Sequence, residues 1–398
     1  MIPKIDLDLG LSAYSTSFKG VKGKIKETNQ DFTVSEILHD KILSKISKDD
    51  KLAVYKLRKD GIDTRYALND IQRRFGLVLT AFGLKDAKAI TEQYVQAKTT
   101  SRSLENIDGM KYSLKRLGFV KKPISKQNIL GNKFKIKISN LSDSISNFSE
   151  YDKLLNYFGY QRFGSKRPIT HLIGKAIIQN EYSKTIDLLL NFLSPYDTDQ
   201  NNNYRKIISE TKTPHEVIDL IPKSMDIEIL VLKKLSESND AKLAIRAIPL
   251  QMRRFYIQSY QSYIFNKTLS LAFEYEEDLF TPQESDVCFD SSNSLGKFQN
   301  DPNQKLAVPL VGHSYFKKTR FDYYIEKILE EEEITPSSFL IKDFQEISVE
   351  GGFRNAIINC NDFQITNNTV EFMLSRGSYA TIILREILKP EDPLGTGF

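Results

Sequence analysis

Asp86 is the acidic side chain whose neighbours most readily suggest covalent chemistry. It lies in the segment GLKDAKAITEQ, directly after Lys85 and two residues before Lys88, and Gly83 would let the chain turn sharply just ahead of it. Nearby ammonium groups favour the ionised form of a carboxylate, which suits a nucleophile better than a general acid. Taken alone, the segment favours a simpler interpretation, a surface aspartate in a charged turn.

A second group of functional side chains lies in the segment NYFGYQRFG at residues 156–164. The amide of Asn156 could read the edge of a base, and the aromatic rings could stack on it. The fork of Arg162 could hold a phosphate or a carboxylate. Two glycines among these residues are unfavourable for a helix or a strand and predict a shaped loop. A buried aromatic turn with a structural arginine is the alternative.

Near the end of the chain, the segment GSYATIILRE at residues 377–386 offers a ring at Tyr379 ahead of an apolar helix. Arg385 and Glu386 are adjacent and opposite in charge, which predicts a surface ion pair. Considered singly, this segment is typical of core packing.

Apolar periodicity indicates which elements would carry these residues. Strands are predicted at 31–37 and 52–57, followed by a helix capped by Thr64. The apolar run at 77–84 and the segment at 89–98 are interpreted as further strands. The candidate carboxylate is therefore expected at a strand end.

The second half of the chain has a different pattern. Longer amphipathic helices are predicted from about 179 to 349, with a polar linker at 197–203 between elements. Strand patterns then return, and the chain closes with a predicted helix; these elements cover 355–365, 370–374 and 378–388.

Charge is unevenly distributed in a chain whose net charge is small. Fifty-six Lys and Arg residues oppose 51 Asp and Glu residues, and the net charge of +5 does not by itself identify a nucleic-acid-binding protein. Between Arg102 and Lys137, ten basic residues are opposed only by Glu105 and Asp108, which is typical of a solvated face or of an RNA-binding one. Within this run, the segment 133–139 alternates apolar and lysine residues, and its basic face could lie against RNA.

Several classes of protein have little support. Cys288 and Cys360 are far apart and the four histidines are scattered, so a zinc site or a catalytic triad is not expected. Neither a membrane-spanning apolar run nor a secretory signal is evident, which favours a cytoplasmic protein. The glycine fingerprints of nucleotide-binding loops are missing, and we expect no cofactor.

Six segments follow the order and form seen in the TruD family of pseudouridine synthases, and the resemblance covers nearly the whole chain. They are GKIKETNQDFTVSEI, LRKDGIDT, GLKDAKAITEQ, NYFGYQRFG, YQSYIFN and GSYATIILRE. Any one could arise by chance, whereas six in order should not. The resemblance implies a cofactor-free tRNA pseudouridine synthase, with uridine 13 of tRNA as the expected target.

The resemblance also implies roles for individual residues. Asp86 matches the nucleophilic aspartate of the family, and Phe32, Asn156 and Tyr379 match positions that hold the target uridine. Weaker candidates for support of the same pocket are Lys26, Lys85, Gln93, Phe158, Arg162 and Arg385. A basic residue often follows the catalytic aspartate in the family, but here Ala87 follows and Lys88 comes one place later. The sequence therefore leaves open which cation pairs with Asp86.

The expected architecture is α+β. A pseudouridine synthase-type catalytic domain, with a mainly antiparallel mixed sheet and flanking helices, would comprise residues 1–178 and 350–398. A largely helical α/β insertion domain at 179–349 would interrupt it and help to select the RNA. We expect a monomer whose partner is tRNA, without a protein or membrane partner.

Two alternatives to this function remain open. A non-catalytic RNA-binding protein on the same fold is the first, although binding alone would not require Asp86. An acid/base hydrolase with two carboxylates is the second, and no partner carboxylate stands out for it.

Overall fold

The computed structural model describes residues 1–98, 104–211, 213–315 and 319–398. Arg102, at the start of the basic run, lies outside these ranges. The strands are β1 (Phe32–Leu38), β2 (Leu52–Asp60), β3 (Leu79–Ala81), β4 (Ile90–Ala97), β5 (Asn106–Asp108), β6 (Tyr112–Val120), β7 (Ile129–Lys137), β8 (Val287–Phe289), β9 (Leu295–Lys297), β10 (Lys305–Leu310), β11 (Gly352–Asn355), β12 (Cys360–Thr366) and β13 (Thr369–Ser375).

The helices surround two sheets that these strands form. They are α1 (Lys4–Asp8), α2 (Asp40–Leu43), α3 (Thr64–Phe75), α4 (Thr170–Ile178), α5 (Tyr182–Asn191), α6 (Asp199–Glu210), α7 (Pro214–Ile218), α8 (Asp226–Ser238), α9 (Ala241–Ala247), α10 (Leu250–Glu274), α11 (Asp322–Glu331) and α12 (Ala380–Leu388).

The larger sheet has nine strands in the order β12-β13-β7-β1-β4-β2-β6-β5, with β3 paired to β4. Only the β1–β4 pair is parallel among the described pairings of this sheet. The smaller sheet has the order β11-β10-β8-β9. The predicted α+β class and mainly antiparallel mixed sheet are confirmed.

The predicted periodicities correspond closely to the elements of the larger sheet. In β1 and β7, buried residues alternate with more exposed ones, as expected of strands that pack one face against a core. The apolar run at 77–84 is the exception, because its strand covers only Leu79–Ala81. Phe82 is buried beyond the end of that strand, so apolar character there reflects packing of a loop.

Two predicted local features are wrong, both at helix starts. Thr64 does not cap α3; the carboxylate of Asp63 does, by accepting from the backbone N–H groups of Arg65 at 2.7 Å and Tyr66 at 3.3 Å. The segment 197–203 is not a linker, because α6 begins within it. Thr198 caps that helix by accepting from the backbone N–H of Asn201 at 3.1 Å.

Arg385 and Glu386 do form an ion pair, with Nη1 3.5 Å from Oε1, but its predicted surface position is wrong, because both side chains are buried. The Arg385 guanidinium also binds the carboxylate of Asp6, with Nε 2.6 Å from Oδ2. It also donates to the carbonyls of Leu11 and Ala13, each at 2.9 Å. The C-terminal helix is thereby fixed to the first residues of the chain.

The apolar core does not stop at the predicted insertion boundaries. One buried cluster runs from Ile5 through residues of α4 and α10 to Leu388. Asn266 on α10 is buried and donates to the carbonyls of Leu9 and Phe158, each at 3.1 Å. The division at 178 and 349 therefore stays a prediction.

We expect Arg385→Met to lower the free energy of unfolding by about 3–5 kcal/mol, because it would leave the buried Asp6 carboxylate without its counter-charge. Denaturant unfolding measures the change. Lys22→Met is the matched control, because its ion pair with Glu391 is exposed and should contribute about 0–1 kcal/mol. Equal stabilities for the two variants would contradict the structural role of Arg385.

Candidate active site

A cavity of about 220 Å³ lies where the larger sheet meets the start of α12. Its walls include the rings of Phe32 on β1, Phe134 on β7 and Tyr379 just before α12. The carboxylate-bearing residue of this wall is Asp86. The site therefore combines one acidic side chain with aromatic surfaces.

Asp86 lies in the connection between β3 and β4 rather than at a strand end. Buried side chains from neighbouring elements hold the backbone of this loop. Gln93 donates to the carbonyl of Gly83 at 3.0 Å, and the Thr64 hydroxyl accepts from the N–H of Lys85 at 3.2 Å. The same hydroxyl donates to Gln93 at 3.0 Å, so the two anchors are linked.

Lys59 forms a third anchor, which holds the backbone of Asp86, the candidate nucleophile. Its fully buried ammonium donates to the backbone carbonyl of Asp86 at 2.6 Å and to that of Ile62 at 2.9 Å. Burial lowers the pKa of Lys59 to about 8, and the charges of Asp63 and Asp86 oppose the shift. This residue was missed from sequence, although it lies in LRKDGIDT, one of the segments that carried the resemblance.

The cation that pairs with Asp86 is Lys26, at 3.1 Å between Nζ and Oδ2. The side chain of Lys26 is only 9% exposed and that of Asp86 42%, so the pair spans the boundary between protein and solvent. The Lys26 ammonium also lies 4.5 Å from the centroid of the Phe32 ring. Its backbone has a φ of +57°, which is uncommon for a residue with a side chain.

Lys85 has a different role from the one its position beside Asp86 suggests. Its ammonium lies 3.0 Å from a carboxylate oxygen of Glu36 and donates to the amide of Asn132 at 2.6 Å. Both Lys85 and Asn132 line the cavity. The lysine therefore neutralises a buried carboxylate and orients an amide in the wall.

Asn156 and Phe158 lie in the wall of a second cavity, of about 890 Å³, which shares Ser378 with the first. The Asn156 side chain accepts from the Arg354 guanidinium at 2.7 Å and donates to the carbonyl of Asn355 at 3.0 Å. Asn156, predicted to contact the uridine, therefore lies in the cavity next to the one that contains Asp86. Its side-chain amide is bonded to Arg354 and to the backbone of Asn355.

Helix α10 fixes the NYFGYQRFG loop from behind. The Asn266 amide accepts from the backbone N–H of Phe158 at 2.8 Å as well as donating to its carbonyl. Arg162 donates to the hydroxyl of Ser262 at 3.0 Å, and Ser259 donates to the carbonyl of Arg162 at 2.8 Å. Through Ser262 and Asn266, the YQSYIFN segment therefore holds the NYFGYQRFG loop in place.

Two arginines surround the Phe158 ring and lie close to Tyr379. The guanidinium carbons of Arg354 and Arg162 are 4.1 and 5.6 Å from the ring centroid. Burial lowers the pKa of Arg354 to about 10, so it stays charged at neutral pH, and burial also lowers the pKa of Arg162. Burial raises the pKa of Tyr379, and the two arginines oppose that shift, so the phenol stays protonated.

Not every predicted site residue reaches the cavity. Asp86, Phe32, Lys85 and Tyr379 line it, whereas Lys26 pairs with the carboxylate of Asp86 and Gln93 binds the backbone of the loop. Arg162 lies behind Phe158, and Arg385 is buried against α1, outside the cavity wall. Sequence reasoning missed several wall residues and one cation: Asn132, Phe134, Gln161, Thr381 and Arg354.

The lysines of β7 lie on the face opposite to the cavity. Phe134 lines the cavity, and successive residues of a strand point to opposite faces, so Lys133 and Lys135 point away. Lys135 pairs with Glu371 at 2.8 Å. The basic face of this strand is therefore not available to a nucleotide inside the cavity.

The cations near the cavity belong to segments other than β7. A third cavity, of about 650 Å³, shares Asp86 and Gln161 with the first and is lined by Lys26, Lys88 and Lys166. The three cavities thus follow one another along the surface.

Other reactive groups are held in unreactive forms. Burial raises the pKa of the Cys288 thiol to about 11 and that of Cys360 to about 12, so both stay protonated at neutral pH. Burial lowers the pKa of His171 to about 4. Within the described ranges, no three His, Cys, Asp or Glu side chains are grouped to hold a metal ion. None of the described helices is both long and apolar enough to cross a membrane.

Comparisons with known proteins identify the same class that the fold and the site indicate, the pseudouridine synthases. The family model of tRNA pseudouridine synthase D (TruD) matches residues 8–387. The probable tRNA pseudouridine synthase D of Pyrobaculum islandicum is 30% identical over 416 residues, covering 100% of this chain and 99% of the relative. The protein of the same description from Methanosarcina barkeri is 27% identical and covers 99% of each chain.

A solved structure agrees with the sequence comparisons. The crystal structure of the putative tRNA pseudouridine synthase D from Methanosarcina mazei superposes with a TM-score of 0.77 at 25% identity, covering 99% of each chain. The chain belongs to the TruD family of tRNA pseudouridine synthases, which are isomerases. The predicted pseudouridine synthase-type fold is confirmed.

We expect Lys59→Met to lower the free energy of unfolding by about 1–3 kcal/mol, because two partly buried carbonyls would lose the donor that the buried ammonium supplies. Amide hydrogen exchange in residues 82–88 should accelerate, since one anchor of the loop is removed. Lys56→Met on the same strand is the control, because its ion pair with Glu92 is partly exposed. Unchanged exchange in this loop would show that Lys59 does not anchor it.

Proposed function

We propose that this protein isomerises uridine to pseudouridine in tRNA, with uridine 13 as its target and Asp86 as its nucleophile. The observation that carries the proposal is the Asp86–Lys26 pair at the mouth of a cavity walled by aromatic rings. Among the described residues in that wall, Asp86 is the one carboxylate. A two-carboxylate hydrolase would need a second one facing it.

The reaction breaks the bond between C1′ and N1, turns the uracil and joins C1′ to C5. The proton on C5 leaves to solvent, and N1 gains a proton, so the product is an isomer of the substrate. Asp86 either attacks C1′ to form a transient ester or removes a ribose proton. In both cases the Lys26 ammonium lies 3.1 Å from the carboxylate and balances its charge.

The rings retain the uracil while it is detached from the ribose. Phe32 and Tyr379 offer apolar faces on which a base can stack, and a cavity of about 220 Å³ leaves little space for it to escape. We assign Asn156 and Phe158 to the neighbouring part of the substrate, because they line the adjacent cavity. Lys85 acts by orienting Asn132.

A uridine stacked inside folded RNA cannot reach this cavity. The target nucleotide would therefore have to be flipped out of its stack, with basic side chains holding the neighbouring phosphates. Lys88 and Lys166 in the third cavity are placed for such contacts.

The segment 179–349 is proposed to help select the RNA, as an insertion into a catalytic domain formed by 1–178 and 350–398. Support comes from α10, whose side chains hold the NYFGYQRFG loop beside the site. Deleting the segment would expose the shared core, so point substitutions on its surface are the better test. A monomer in the cytoplasm, where tRNA is abundant, completes the proposal.

Pseudouridine mapping on an unmodified tRNA transcript, without added cofactor, tests the reaction. The wild-type protein should modify position 13, and Asp86→Asn should give no detectable pseudouridine, because a neutral amide can neither attack C1′ nor accept a ribose proton. Asp108→Asn, an exposed carboxylate on β5, serves as control and should retain activity. Binding of tRNA without modification by the wild type would favour the non-catalytic RNA-binding alternative.

Binding of tRNA should weaken as salt rises, because phosphate contacts release counterions. Between 50 and 200 mM salt we expect the Kd of Asp86→Asn for tRNA to rise by about tenfold or more. Titrations at several salt concentrations measure the slope. A Kd independent of salt would contradict binding through phosphates.

A further inference from the structure

The cavity of about 890 Å³ beside the candidate active site is assigned above to a neighbouring part of the substrate through Asn156 and Phe158, and the rest of its wall indicates which part that is. It lies between the smaller sheet and the ends of β7 and β13 in the larger sheet, and it meets the Asp86 cavity at Ser378. Its volume lies within the range of about 300–1,000 Å³ typical of ligand sites, whereas the Asp86 cavity lies below it. The larger cavity can therefore hold a bigger group than a single base.

The smaller sheet places a cation beside a ring in the wall of this cavity. Lys305 on β10 and Phe289 on β8 are direct cross-strand partners, and both line the cavity. Side chains at directly paired positions lie about 4.5–5.5 Å apart at Cβ. A ring and an ammonium group at that spacing can stack on a base and hold its phosphate together.

Lys305 is partly buried, and burial lowers its pKa. In the part of the chain that the structure describes, no carboxylate lies within 4.0 Å of its ammonium, in contrast to Lys26, Lys85 and Lys175. A partly buried cation without a counter-charge is unfavourable unless an anion reaches it.

The opposite wall adds a second cation. Arg376, directly after β13, lines the cavity, is exposed and donates to the carbonyl of Lys126 at 2.5 Å. Polar residues of the β8–β9 turn, Ser291, Ser292 and Asn293, also line the cavity. The cavity is thus lined by cations and hydrogen-bonding groups, and the half-buried ring of Phe289 is among its aromatic residues.

We propose that this cavity is a subsite for the nucleotide adjacent to the target uridine in the RNA chain. Its phosphate contacts Lys305 and Arg376, and its base stacks on Phe289. The shared Ser378 places this subsite directly beside the cavity that receives the uridine. The inference rests on the proposed function, and it adds a contact that would hold the strand on one side of the flipped base.

The test compares Lys305→Gln with Lys137→Gln, which removes the same charge from the exposed lysine at the end of β7. On an unmodified tRNA transcript, Lys305→Gln should raise Kd and KM by about fivefold or more and lower the salt slope of log Kd by about 1. Phe289→Leu should raise Kd by a similar factor without changing that slope. Lys137→Gln should behave as the wild type.

Two further variants separate a phosphate contact from loss of structure. Lys305→Arg keeps the charge and should bind within about twofold of the wild type, and Arg376→Gln, on the exposed wall, should weaken binding in the same direction as Lys305→Gln. If Lys305→Arg binds as poorly as Lys305→Gln, the phosphate contact is refuted.

The outcomes distinguish this inference from the proposed function. If the wild type modifies tRNA and Lys305→Gln matches Lys137→Gln in Kd and salt slope, the subsite is refuted and the function stands. If the wild type modifies no uridine but Lys305→Gln alone weakens tRNA binding, the function fails and the RNA contact stands.

Discussion

The whole site depends on holding one carboxylate still in a loop that has no regular structure. Asp86 lies between β3 and β4, where the backbone lacks the hydrogen bonds of a ladder, and a loop keeps its shape only if its polar groups are bonded elsewhere. Lys59, Thr64 and Gln93 supply those bonds from the strand and helix side. Lys26 then fixes the carboxylate by its charge. The larger sheet carries Lys59 on β2 and Gln93 on β4, and α3 brings Thr64 to the same place.

A second scaffold holds the opposite wall. Asn266, Ser259 and Ser262 on α10 bind the backbone and side chains of the NYFGYQRFG loop, and that loop presents Phe158 to Arg354. The short stretch Ser378–Tyr379 links the two scaffolds, because Ser378 belongs to both cavities. Substrate binding at the larger cavity and chemistry at the smaller one would therefore share a wall, and that wall would depend on both scaffolds.

Sequence patterns predicted much of the larger sheet where its strands alternate buried and more exposed residues, as β1 does over its full length and β7 over most of it. They failed where the deciding contact is distant: Arg385 beside Glu386 resembled a surface pair, but its partner Asp6 is 379 residues away. Asp86 was identified through the resemblance, whereas Lys59 was missed because its bond to the Asp86 carbonyl crosses 27 residues. The orientation of the β7 lysines likewise required knowing which face of the sheet forms the cavity.

The most direct test of the central claim follows the hydrogen on C5 of the uracil, which must be lost when C5 bonds to C1′. Under single-turnover conditions, tRNA carrying tritium at C5 of uridine should release tritium to water with the wild-type protein. Asp86→Asn should bind the same tRNA with a similar Kd and release none. Release by Asp86→Asn at the wild-type rate would show that another group carries the chemistry and would contradict the account of this site.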